Sequence, residues 1–185
     1  MKRRELALLE KYFHGETLGI LVGHSTMVAE LALAVCQYMG LSEPECRFVE
    51  EAAMLHDIGV CRINAPKLGL YGEHPYIMHG ILGREILEAE GLPQHALVCE
   101  RHIGVGITED DIIRQELALP LRDMSPQTTG ETIVCFADLF YSKSPGKVTL
   151  RKSPEQVRNK LSGFGVLKVQ IFDNWLGQFG AVFAS

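Results

Sequence analysis

Apolar residues recur at three- and four-residue intervals almost from end to end of this chain, and no segment carries the strict alternation of a half-buried strand. That spacing confines the fold to helices packed through their apolar faces. Residues 3–13 read as a short amphipathic helix. From about His24 to Tyr38 the set Met27, Val28, Leu31, Val35 and Tyr38 follows one helix face, and Gly40 supplies the stop. Ser42 with Glu45 three residues on is a capping-box pattern that opens a helix to about His56, broken by Ile58 and Gly59. Residues 60–75 hold Asn64, Pro66, Gly69, Gly72 and Pro75 and read as one long loop, the kind of segment that covers or binds a ligand. Helices are expected over about 76–90, 93–102, 109–117, 131–142, 154–162 and 165–179, with a second loop over 118–130. The expected fold class is all-α, one helical domain over residues 1–185 with no linker and no internal repeat.

A chain of 185 residues, 46% hydrophobic and 22% charged, can bury a sizeable core. Its formal net charge of −5 speaks against coating a nucleic-acid polymer. It leaves room for a small anionic substrate, because a bound cation reverses the local potential. The cysteines at 36, 46, 61, 99 and 135 are odd in number, form no CxxC pair and make a poor disulfide framework. Cys36, Cys46 and Cys135 fall within apolar helical patterns and read as reduced core thiols. The start, MKRRELALLEKYF, has no uninterrupted apolar region, and no stretch approaches the roughly 18 apolar residues of a membrane span. The expected home is a reducing cytoplasm, away from membranes.

Against this background a few ionisable residues stand on faces that should be apolar. His24 precedes Met27 and Val28 by three and four residues, and His56 continues the stripe Val49, Ala52, Ala53. Asp57 follows Ala53 by four, His79 shares a face with Leu82, Gly83 and Ile86, and His102 shares one with Val98 and Cys99. Asp138 follows Val134 by four. A single inward histidine is more often a hydrogen-bonded core residue than a ligand. A buried aspartate without a partner is costly, and none of these faces offers an inward Arg or Lys in its immediate pattern. Six such groups on five segments point instead to a divalent cation, for which neutral imidazoles and carboxylates are usual ligands. His14 reads as a surface residue, and His74 and His95 as core or peripheral residues, either able to serve as an outer ligand or substrate contact.

The segment Leu55-His56-Asp57-Ile58-Gly59, with His24 upstream in GHSTMVAELA and Asp138 downstream in FADLFYSK, resembles the HD-domain metal-dependent phosphohydrolase superfamily. The order H…HD…D is that family's signature, and the resemblance covers about residues 20–145, with helices over about 154–180 packed on that core. Met78-His79-Gly80 followed by Gly83-Arg84-Glu85, and Glu100-Arg101-His102 followed by Gly104 and Gly106, resemble the segments that add ligands in its dinuclear branch. The resemblance implies a helical bundle of the HD-domain type. It implies that His24, His56, Asp57 and Asp138 hold one metal and that Asp57 bridges to a second held by His79 and His102. One or two divalent transition metal ions are implied, Fe or Mn ahead of Zn, Ni, Co or Mg. Similar sites occur in enzymes that split dinucleoside polyphosphates and in cyclic-dinucleotide phosphodiesterases. Those phosphodiesterases usually carry a lysine after HDIG, a GYP segment and a double histidine; this chain has Val60 and neither of the others. The segments ERHIGVGIT, LPLRDMSPQT and IVCFADLFYSK are closer to small HDIG proteins without assigned substrates.

The implied activity is hydrolysis of a phosphomonoester or phosphodiester, in a nucleotide or another small phosphate ester. Bound cations lower the pKa of water toward neutrality and neutralise phosphoryl charge. Asp57 is then the catalytic residue that orients the attacking water and accepts its proton. Lys143, five residues after Asp138, is the first choice for holding phosphate, followed by Arg101 and Arg122. The basic run from Lys143 to Lys152, KSPGKVTLRK, reads either as a phosphate-facing loop or as a solvated connection. Two other readings share the ligand set: a di-iron oxygenase of HD type and a non-catalytic nucleotide-binding sensor. An oligomer is compatible with all three.

Overall fold

The computed structural model describes residues 4–144 and 146–183. Helices α1 (Arg4–Tyr12), α2 (Gly15–Tyr38), α3 (Glu43–Leu55), α4 (His79–Ala89) and α5 (Pro93–Arg101) are followed by α6 (Glu109–Arg114), α7 (Thr129–Leu139), α8 (Pro154–Ser162) and α9 (Val166–Phe179). The expected beginning of the first helix at residue 3 lies outside the described residues. The fold is all-α, and the helices end close to where the sequence places caps and glycines. Glu45 accepts from the Ser42 N–H at 2.9 Å, Thr108 accepts from the Asp111 N–H, and Ser153 accepts from the Gln156 N–H.

Two segments depart from expectation. The helix α2 begins at Gly15 rather than near His24, because Leu18, Leu21 and Val22 carry its apolar face backwards. At 24 residues, with an 18-residue window of mean hydropathy 1.7, it is long and apolar enough to cross a membrane, which overturns the expectation that no stretch approaches that length. In this fold α3 and α7 pack on it, and Val28, Ala32, Val35 and Cys36 are buried. The second departure is residues 60–75, which form more than a loop. Strands β1 (Asn64–Ala65) and β2 (Leu70–Tyr71) pair antiparallel around a 3-10 turn at Pro66–Leu68. Gly69, at φ 69°, closes that turn, and the Thr17 hydroxyl donates to the Leu68 carbonyl at 2.7 Å, tying the hairpin to α2.

Two apolar clusters form most of the core. One gathers α2, α3, α7, α8 and α9 around Phe136, Phe140, Phe172 and Phe179. The other gathers α1, the start of α2, α4 and α5 around Leu9, Phe13, Leu55, Ile58 and Leu87. Their seam runs through α2 between Leu21 and Val28, through α3 between Ala53 and Leu55, and through α5 between Val98 and Cys99. Each of those stretches carries or abuts one of the inward histidines. Cys36, Cys99 and Cys135 are buried free thiols, while Cys46, expected in the core, is half-buried.

Candidate metal centre

Most of the inward residues sit where helices end, and this is what lets them converge. His56 and Asp57 follow α3, His79 opens α4, His102 follows α5 and Asp138 stands one residue before the end of α7. At the ends of α3 and α5, and in the 3-10 turn before α4, backbone carbonyls are open to a further donor. Three imidazoles use them: Nδ1 of His56 donates to the Ala53 carbonyl at 2.6 Å, that of His79 to Tyr76 at 2.6 Å and that of His102 to Cys99 at 2.8 Å. This bond fixes each ring and aims Nε2 inward. Gly59 makes the approach possible, since a Cβ there would lie 2.0 Å from the His79 carbonyl oxygen and 2.3 Å from the Gly83 nitrogen. The chain after Asp57 is thereby pressed against the start of α4.

The result is a cluster in which Asp57 faces two ways. Its Oδ2 lies 3.2 Å from His24 Nε2 and 3.1 Å from His56 Nε2. Asp138 Oδ1 closes that group at 3.0 Å from His24 and 3.5 Å from His56. Asp57 Oδ1 lies 3.5 Å from Nε2 of both His79 and His102. His24, His56, Asp57, His79 and His102 are buried, and Asp138 keeps part of its side chain in the cleft above.

These donors fit divalent cations. Nε2 of His79 and His102 face each other at 3.1 Å with both Nδ1 protons already committed to carbonyls, so two lone pairs oppose each other. Asp57 Oδ1 is buried with no hydrogen-bond partner, and so is His24 Nδ1. Two groups of ligand atoms, His24–His56–Asp57–Asp138 and Asp57–His79–His102, are each compact enough to surround one ion. Burial and the neighbouring His102 push His79 down to about 3, keeping it neutral as a ligand must be. Burial alone would raise both carboxyls, but Lys143 and the histidines outweigh it and hold Asp57 and Asp138 well below the ordinary carboxylate range.

Lys143, the first choice for a basic residue near the site, does reach the centre, though from outside the apolar faces themselves. Its ammonium is 2.5 Å from Asp57 Oδ2, reaching in from the segment after α7, beyond the range of any helical pattern. It also stands over the Tyr76 ring, 5.9 Å from the centroid. Burial works against its charge, yet Asp57, Tyr76 and Asp138 raise its pKa above the ordinary lysine value.

Arg101 and Arg122 do not line the cleft. Arg101 pairs with the buried Glu131 at 2.9 Å, and Arg122 and Arg84 both pair with the buried Glu100. Adjacent helical residues point roughly 100° apart, so a place beside His102 in sequence turns Arg101 away from it. His95 lies 3.3 Å from Glu51 and against Phe48, and His74 is held through its backbone to Asn64; neither joins the cluster. A cavity of about 570 Å³ opens over the centre, lined by His79, His102, Asp138 and Lys143 together with Tyr76, Lys67, Lys152 and Lys160. Of the last four, the sequence pointed only to Lys152, through the basic run that follows Asp138. They lie on turns or on an exposed helix face, where basic and aromatic residues are unremarkable in a sequence.

Comparison with known proteins agrees with this geometry. The HD domain family model matches residues 21–142. An uncharacterized protein of Methanocaldococcus jannaschii is 41% identical over 110 residues, 59% of this chain and 56% of that protein. A tRNA (cytidine(56)-2'-O)-methyltransferase of Picrophilus torridus is 34% identical over 115 residues, 62% of this chain and 30% of the enzyme. The chain thus spans about half or less of the length of these curated relatives. Among solved structures, the HD domain of the L. monocytogenes phosphodiesterase PgpH aligns at TM-score 0.56 and 16% identity, covering 98% of this chain and all of that one. The same domain in complex with cyclic-di-AMP aligns at TM-score 0.53 and 16% identity, covering 99% of this chain and 98% of that one. At this identity the two structures speak for the fold, and the family match carries the assignment: the chain belongs to the HD-domain family.

Proposed function

We propose that this chain is a metal-dependent phosphohydrolase that cleaves a small phosphate ester, a nucleotide being the favoured class. The observation that carries the reading is Asp57, shared between two groups of ligand atoms at the floor of a cleft lined by lysines. His24, His56, Asp57 and Asp138 would hold one divalent cation, and Asp57, His79 and His102 a second. Such ions, when bound, lower the pKa of water and take up charge on phosphoryl oxygens.

The chain's own groups supply the rest. Asp57, oriented by four histidines and Lys143, would fix where the attacking water stands relative to both ligand groups. Lys143 sits beside Asp57, so a phosphoryl group entering the cleft meets a positive charge at the reacting end. Lys67 and Lys160 line the cleft and draw in an anion despite the chain's net charge of −5, while Lys152, also on the lining, is held by the Leu139 and Tyr141 carbonyls. Tyr76, on the cleft wall against His79, covers one side of the centre and excludes water there. That the structurally similar PgpH domain is named a phosphodiesterase and was solved with cyclic-di-AMP supports a nucleotide.

The test is a panel of phosphomonoesters and phosphodiesters assayed with Mn²⁺, Fe²⁺, Co²⁺, Ni²⁺ and Mg²⁺ added separately, with oxygen uptake followed in parallel. Phosphate release or diester cleavage that depends on the added metal is expected. Metal-dependent oxygen uptake without hydrolysis would place the chain among the oxygenases instead.

A further inference from the structure

A second cavity, of about 260 Å³, opens beside the lysine-lined cleft. The two share Ile103, Gly104, Leu139 and Lys160, so the segment following His102 forms a common sill. The second cavity is walled by Ile77, Ile107, Leu117 and Leu161, with the half-exposed Phe164 also on its lining. Its back is fixed: Gly106 sits at φ 95°, a Cβ there would meet Ser125 Cα at 2.7 Å, and Lys168 donates to the Gly106 carbonyl at 2.8 Å. Asp111 also lines it, but its carboxylate is already engaged by Thr108, Arg114 and Lys168. The exposed amide of Gln115 adds a neutral polar group, and Lys160 stands where the two cavities join.

Away from Lys160 at the junction these walls offer a phosphate nothing, because Lys168 is already committed to Asp111 and the Gly106 carbonyl and the remainder, the Gln115 amide apart, is mostly aliphatic or aromatic. They suit a flat, weakly polar ring that leaves water on binding and keeps one edge for an amide. We propose that this side cavity is the specificity subsite. It receives the nucleobase of a nucleotide whose phosphate lies over the His/Asp centre and whose charge is shared with Lys160. This deepens the phosphohydrolase reading and rests on it for the placement of the phosphate, while the base-binding cavity itself can be tested without turnover.

Adenosine and uridine, which carry no phosphate, are titrated into the full chain and followed by calorimetry and amide chemical shifts. Binding in the millimolar range is expected, with shifts at Leu117 and Phe164. Leu117→Asp, which puts a charge among the aliphatic walls, and Phe164→Ala, at a half-exposed position, should each weaken it about tenfold, with thermal melts verifying the fold. In the assay, the kcat/KM ratio of nucleoside monophosphate over glycerol 3-phosphate should fall about tenfold in Leu117→Asp. Failure of both nucleosides to bind, binding unaffected by both substitutions, or equal kcat/KM for the two esters in the wild type would each overturn the subsite. If the nucleosides bind in a substitution-sensitive way but no ester is hydrolysed, the subsite stands and the phosphohydrolase reading falls. If an ester is hydrolysed but neither nucleoside binds, the phosphohydrolase reading stands and the subsite falls.

Discussion

Asp57 is the one side chain that belongs to both groups of ligand atoms, and its two oxygens are not equivalent. Oδ2 is shared with Lys143, His24 and His56, while Oδ1 has only the two distant histidines of the other group. Removing it should therefore cost more metal than removing any one histidine: elemental analysis of Asp57→Ala should find less bound metal than His102→Ala retains. Lys143→Ala should behave differently, staying folded and metal-loaded while kcat/KM falls about ten- to a hundredfold, the worth of one charge-assisted hydrogen bond. Wild-type turnover in that variant would reduce Lys143 to a counter-ion for Asp57. The histidines and aspartates were legible in the sequence because they interrupt apolar stripes. Lys143 was legible only through its short distance from Asp138, while Tyr76 and Lys160 were not legible, because a stripe says nothing about a side chain that arrives from a turn or from the solvent side of a helix.

At the scale of elements, the helix boundaries were readable where chemistry marks them. Ser42 with Glu45 and Ser153 with Gln156 open α3 and α8 as expected. The early start of α2 and the hairpin at residues 64–71 were hidden. Gly15, Gly19 and Gly23 dilute the helical signal, and strands of two residues are too short to alternate. Glycines also separate into those that are needed and those that are not. Gly59→Ala would drive a methyl into the start of α4 and should destabilise the chain by about 3 kcal/mol or more, or prevent folding. Gly19→Ala, exposed in α2 with nothing within 4 Å of the added methyl, should stabilise by about 0.5–1 kcal/mol. Urea unfolding of the two variants side by side reads both signs.

Across the whole molecule, α9 is tied to α6 and the turn before it through Lys168, which reaches Asp111 and the Gly106 carbonyl. Burial would raise Asp111, but Lys168 and Thr108 outweigh it and lower its pKa to about 2 from a usual value near 3.8. A carboxyl lowered on folding stabilises the chain fully above its unfolded value and loses that contribution as pH falls through the folded one. Stability should therefore drop between about pH 4 and pH 2, and Asp111→Asn should flatten that limb in thermal melts at stepped pH.

The seam between the two apolar clusters has a mechanical consequence. Its ionisable residues come from both sides, so ions bound there would act as a clasp between two clusters that are otherwise joined by the shared helices α2, α3 and α5 and, at the centre, by opposed lone pairs and two carboxylates. Opening the clasp should loosen the two halves before either melts. A chain stripped by a chelator is expected to unfold at lower temperature and in a broader or two-step transition. Restoring metal to about a hundred times its dissociation constant should return roughly 2.7 kcal/mol and a single sharp transition. On that view ions bound here would be structural cement as much as reagents, and cells short of them would hold a protein that is slack as well as inactive.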